Sequence, residues 1–114
     1  MAFDEGLAER LREVLAGTPE VHERLMFGGI AFMVDGHMAC GVMGDELMLR
    51  LGREGAAAAL GRPHVRPMDF TGRPMTTMAI VGPEGVSDDA ALREWVEAAL
   101  GHVAGLPRKR LRGR

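Results

Sequence analysis

The chain reads as an α+β domain, with helices packed against a mostly antiparallel five-stranded sheet. Three observations predict this. Residues 24–51 contain short apolar runs cut by the two-residue turn signals Asp35-Gly36 and Gly44-Asp45, the pattern of an antiparallel meander. Residues 3–16 and 87–104 place apolar side chains at helical spacing. Residues 52–81 add an Ala-rich segment and two further apolar runs punctuated by Gly and Pro. The expected order is α-β-β-β-α-β-β-α.

In the first helix, Phe3, Leu7, Leu11, Val14 and Leu15 form one stripe, and Glu5, Glu9, Arg10, Arg12 and Glu13 lie largely off it. Gly17 is the expected C-cap and Pro19 prevents continuation. Residues 20–25 read as a lead-in to the sheet. The first strand is expected over Met26–Val34, with Gly28-Gly29 as a bulge or a close backbone approach. The second is expected over His37–Met43 and the third over Glu46–Leu51. In the third, Leu47, Leu49 and Leu51 alternate with Met48 and Arg50. So apolar a strand expects partial cover on its second face as well.

Gly52 breaks the alternation, and Arg53–Leu60 reads as a short helix closed by Gly61 and Pro63. Val65–Phe70 suits an edge strand, because Pro67 cannot donate to a ladder. Met75–Val81 is the last strand, with Met78 and Ile80 on one face and Met75, Thr77, Ala79 and Val81 on the other. The final helix has Ser87 as its expected N-cap, with Asp88 and Asp89 at the positive end of its dipole. Leu92, Trp95, Val96, Ala99, Leu100 and Val103 make its apolar face, and Gly105 and Pro107 end it.

A chain of 114 residues, 46% hydrophobic, accommodates one domain with one core, expected over residues 1–107. Aromatics are only 4% and Tyr is absent, while Met reaches 9. Much of the interior must then be Met, Leu, Val and Ala. Met-rich strands serve either as core filling or as a pliable surface for a partner. The N-terminus lacks the pattern of a secretory signal, and no apolar run approaches the ~20 residues that span a bilayer, so a cytoplasmic location without membrane contact is expected.

Charge is unevenly placed. Residues 108–114, read as a disordered tail, hold five of the 14 basic side chains and no acid. The other 107 residues carry 9 basic and 16 acidic groups, a formal −7. Arg108, Lys109, Arg110, Arg112 and Arg114 are therefore the candidate nucleic-acid contacts, reaching phosphates without reading sequence.

The residues offer little for catalysis or cofactors. His22, His37, His64 and His102 do not pair with one another or with Cys40 at metal-ligand spacing, so no metal site is expected. Cys40, the sole cysteine, sits in an apolar strand and reads as a small core residue, not a nucleophile. Gly28-Gly29 lacks the flanking glycines, Lys and following helix of a phosphate loop. Asp4-Glu5, Asp45-Glu46 and Asp88-Asp89 lie at turns or helix starts, where capping explains them. No cofactor and no enzymatic activity are expected.

The run Met26-Phe27-Gly28-Gly29, followed by Phe32, Asp35-Gly36 and Leu47-x-Leu49-Arg50, resembles the N-terminal domain of the TfoX/Sxy family. Phe70, Arg73-Pro74-Met75, Val86 to Asp89, Leu92-x-x-Trp95 and Ala98-Ala99 continue the likeness in the same order, over roughly residues 3–104. The resemblance implies a two-layer fold similar to secretion-chaperone-like domains and a link to the transcriptional regulation of competence. Full-length regulators of this kind carry a second, C-terminal domain, for which 114 residues leave no room; a stand-alone N-terminal domain is expected. The chain has Met38 and Met48 where an aromatic residue is expected from the likeness. The functional expectation is a regulatory or adaptor domain acting through protein contacts as a homodimer, with transcription machinery as one such partner. The alternative is a nucleic-acid-associated accessory protein using the basic tail.

Overall fold

The computed structural model describes residues 3–26, 28–69, 72 and 74–106. Asp4 begins the first helix: its carboxylate accepts from the N–H groups of Gly6 at 2.8 Å and Leu7 at 3.2 Å. Helix α1 spans Glu5–Val14 and tightens into a 3-10 turn over Leu15–Gly17, so the helical C-cap is Leu15, ahead of the expected Gly17. Leu7, Leu11 and Leu15 of the predicted stripe are buried. Phe3 lies just outside the helix, bridged to Gly44 and packed against the core.

The sheet has six strands, one more than the sequence suggested, and every pairing in it is antiparallel. They are β1 (Val21–Met26), β2 (Gly29–Val34), β3 (His37–Met43), β4 (Glu46–Arg50), β5 (Val65–Asp69) and β6 (Pro74–Val81), in spatial order β1-β2-β3-β4-β6-β5. The expected first strand across 26–34 is two strands. Met26 pairs with Gly29 across a two-residue connection, and Gly28 within it has φ 75°. Gly28-Gly29 is therefore a hairpin corner and not a bulge, and the lead-in at 20–25 is the edge strand β1. That strand is polar and mostly exposed along Val21–Met26, so it lacks an alternation to reveal it.

The Asp35-Gly36 turn has φ 53° and 85°, the doubly left-handed geometry that matches strand twist. Gly44 has φ 60° at the next corner. The register slip in this meander lies further on: Phe32 pairs with Cys40 and Met33 with Met38, which leaves Ala39 as the bulged residue. Ala39 then clusters with Val34 and Val103. Strand β5 is an outer strand and contains Pro67, as its composition required.

Helix α2 (Gly52–Ala59) follows β4 and buries Ala56 and Ala59; helix α3 (Asp89–Ala104) buries Leu92, Trp95, Val96, Ala99 and Val103. The main core lies between the helices and one sheet face, where Phe32, Cys40, Val42, Leu47, Leu49, Ala79 and Val81 meet Leu11, Leu92 and Val96. Arg10 links α1 to the start of α3, donating to the Val86 carbonyl at 2.7 Å and to Asp89 Oδ1 at 2.9 Å. Arg12 forms a fork on Glu23 of β1 at 2.6 and 3.0 Å. That guanidinium holds the Glu23 carboxyl below its ordinary value. The pair is partly exposed, so it orients the edge strand and contributes little stability.

The cap of α3 is Asp88, not Ser87: the Asp88 carboxylate accepts from Ala91 N–H, while Ser87 Oγ donates to the Glu84 carbonyl. Asp88→Ala is expected to cost about 1 kcal/mol in urea unfolding and Ser87→Ala only a few tenths. Equal losses would mean that the two residues share the cap.

Candidate functional site

Strand alternation that sends Leu47, Leu49, Ala79 and Val81 to the helices sends Met48, Arg50, Met78 and Ile80 to the other face. There a second apolar cluster forms from Ala31, Met38, Met48, Met68, Met78 and Ile80, flanked by half-buried Met26, Met33 and Met43. Among the described residues, every member is a strand residue. The cover anticipated for the second face of β4 thus comes from methionines of neighbouring strands, lying over one another. Unbranched thioether side chains do this well, because they fold into irregular gaps.

Within this face is a cavity of about 260 Å³. Its apolar wall is Met26, Met33, Met38, Met68, Met75 and Met78. Arg24, His37 and Arg50 also line it, and among the described residues no Asp or Glu does. Arg24 stands opposite Ala31 in the β1–β2 register, and Arg50 stands opposite Met78 in the β4–β6 register. Arg50 Nε is shut off from solvent and has no hydrogen-bond partner among the described residues. Buried donors on charged groups are almost always paired, so this atom marks the site. Further along the same face, Arg66 pairs with Glu46 through two contacts, at 2.5 and 3.2 Å. A second groove, of about 300 Å³, shares Met75 and Met78 with the cavity and is otherwise walled by residues that include Ala56, Leu60 and Pro67.

The family-motif residues divide among turn, strand and cavity. Met26 and Gly36 line the cavity; Gly28 is in the β1–β2 corner, Gly29 opens β2, and Asp35 shares the turn with Gly36. Phe27 and the five tail cations, Arg108, Lys109, Arg110, Arg112 and Arg114, lie outside the described residues, as do Phe70 and Arg73. The sequence gives Arg24 no role, and Arg50 a place only in the strand alternation and in the Leu47-x-Leu49-Arg50 run of the family likeness. Arg50 was legible in part, since its alternation with Leu49 and Leu51 puts it on the Met48 face. Arg24 was not, because β1 itself was not recognised.

His37 opens β3 beside the Asp35-Gly36 turn at the border of the cavity, while Cys40 belongs to the helix-side core. Burial pushes the Cys40 thiol from 9.0 up to about 12, which keeps it protonated at neutral pH and unfit as a nucleophile. Among the described residues, no three of His, Cys, Asp and Glu come together as a metal-holding group, and no helix is long and apolar enough to cross a membrane.

The model of the TfoX N-terminal domain matches residues 13–103 of the chain. No curated protein and no solved structure matches it. The match begins inside α1 and ends inside α3, so it takes in the whole sheet and the Met-Phe-Gly-Gly corner. The chain belongs to the TfoX N-terminal domain family.

Proposed function

We propose that this domain is a non-enzymatic regulatory adaptor of the cytoplasm, acting through protein contacts as a homodimer, in the competence-regulator role that its family suggests. The observation that carries the reading is the edge strand β1. Its one hydrogen-bonded strand neighbour in the sheet is β2, and Leu25, 74% exposed, is the most exposed large apolar side chain among the described residues. A free edge with an apolar side chain on it is a template for another strand. A second copy supplies the same edge, and a two-fold axis through Leu25 sets the two leucines against each other, an isologous contact. Transcription machinery would then meet the faces that the dimer leaves open.

Sedimentation velocity on the intact chain tests this. A dimer in the micromolar range is expected, and Leu25→Glu is expected to return it to monomer without lowering the thermal midpoint of the isolated chain. A wild-type monomer at high micromolar concentration overturns the dimer.

A second reading rests on the charge asymmetry between the acidic body and the tail at 108–114. Five cations on about five phosphates give a salt slope near −4.5, or several-hundred-fold weaker DNA binding between 50 and 200 mM salt. Removing residues 108–114 abolishes such binding and leaves protein contacts in place. DNA binding that is absent, or indifferent to salt, removes this reading.

A further inference from the structure

We propose that the methionine-lined cavity binds a small amphipathic monocarboxylate, with its aliphatic chain against Met33, Met38, Met68 and Met78 and its carboxylate on Arg50, with Arg24 at the rim. This goes beyond the adaptor reading and does not depend on it.

Three observations converge. The first is Arg50 itself. It lines the cavity, and its solvent-shut Nε has no acceptor among the described residues, so the fold leaves this guanidinium without a carboxylate and an anion entering the cavity would supply one to its cavity-lining groups. The second is the charge of the lining. The first 107 residues carry 16 acidic side chains against 9 basic ones, yet among the described residues two arginines and no carboxylate line this cavity. Glu46, on the same face, is engaged by Arg66. A cavity so lined selects a negative group, and the planar fork of an arginine matches a carboxylate. The same charge argues against the basic tail as occupant. The third is shape. A volume of about 260 Å³ walled by six thioethers suits a short hydrocarbon chain. Methionines re-pack around such a chain at little cost.

The test uses the intact protein with methyl-13C methionine, titrated with octanoate and, separately, with 1-octanol, which has the same chain and no charge. Octanoate is expected to give saturable shifts at Met33, Met38, Met68 and Met78, with Met43, which does not line the cavity, unmoved. Octanol is expected to bind at least about tenfold more weakly, from loss of the charge-assisted bonds. Arg50→Met is expected to erase the difference between the two ligands, and Arg24→Gln to reduce it. The proposal is overturned by the absence of saturable shifts up to about 10 mM octanoate. It is equally overturned by octanol binding as tightly as octanoate to the unmodified chain, or by shifts that include Met43 equally. The octanol comparison needs no variant, so the outcome stands even if Arg50→Met does not fold.

Discussion

Gly29→Ala is expected to unfold the protein, whereas Gly28→Ala, one residue earlier, is expected to cost only about 1 kcal/mol. The two glycines are required for different reasons. Gly28 has φ 75° and nothing within 4 Å of where a Cβ would stand, so alanine there meets only the local strain of the left-handed region. Gly29 opens β2 with its back to β3. A Cβ on it would fall on the Val42 carbonyl oxygen, 3.1 Å from the Val42 carbonyl carbon and 3.2 Å from Met43 Cα. All three are backbone atoms and cannot swing aside as a side-chain tip does. To admit a methyl group, β2 must move off β3, and these two strands carry Phe32, Cys40 and Val42 into the main core. The loss is expected to exceed about 4 kcal/mol, a large part of the 5–15 kcal/mol that holds a domain of this size. Gly41 faces the converse constraint, since its Cβ would lie 2.5 Å from the Ile30 carbonyl oxygen. Circular dichroism with urea titration of the Gly28 and Gly29 variants decides the matter. A folded Gly29→Ala with a near-normal midpoint would show that the β2–β3 spacing can relax.

The same dipeptide shows what sequence conveys about this fold and what it withholds. Asp35-Gly36 announces a hairpin because both positions need left-handed backbone and both residues tolerate it. Gly28-Gly29 is ambiguous: a bulge, a close approach and a corner all call for glycine. The deciding information is where Gly29 meets β3, a contact across thirteen residues of chain. Strand β1 was hidden for a related reason. His22, Glu23 and Arg24 sit at a sheet edge, where exposure on both sides removes the period of two. Strands β3 and β4 and all three helices were legible, because each buries one face and exposes another. The cap of α3 was uncertain by one residue, since Ser87, Asp88 and Asp89 can all cap and only side-chain geometry chooses. The methionine excess signalled soft packing, but not that β2, β3, β4, β5 and β6 bring their methionines to one side of the sheet. Nor does any local pattern reveal that Arg50 Nε is buried without a partner, because that depends on β6 lying beside β4.

Above pH 9, the unmodified chain is expected to lose stability at about 1.4 kcal/mol per pH unit more steeply than Cys40→Ala. Cys40 lies between Phe32 and Leu49 across the ladder and has no solvent exposure. Desolvation raises its thiol from 9.0 to about 12. Between those values the unfolded chain releases the proton and the folded chain retains it. The unfolded state therefore gains as pH rises, and stability falls by about 4 kcal/mol across the window. Below pH 9 the thiol is protonated in both states and the effect vanishes. Composition makes the experiment clean, because the chain has no Tyr and Lys109 is its single lysine. Few other groups titrate between pH 9 and 12. Cys40→Ala starts less stable at pH 8, since it removes a packed sulfur, but the two curves are expected to converge and then cross as pH rises. Urea midpoints followed by Trp95 fluorescence at several pH values between 8 and 11 give both slopes. Parallel curves would mean that the thiol ionises as readily in the folded chain as in the unfolded one. That would require solvent to reach Cys40 through the layer that Phe32, Leu49 and the helices close over it.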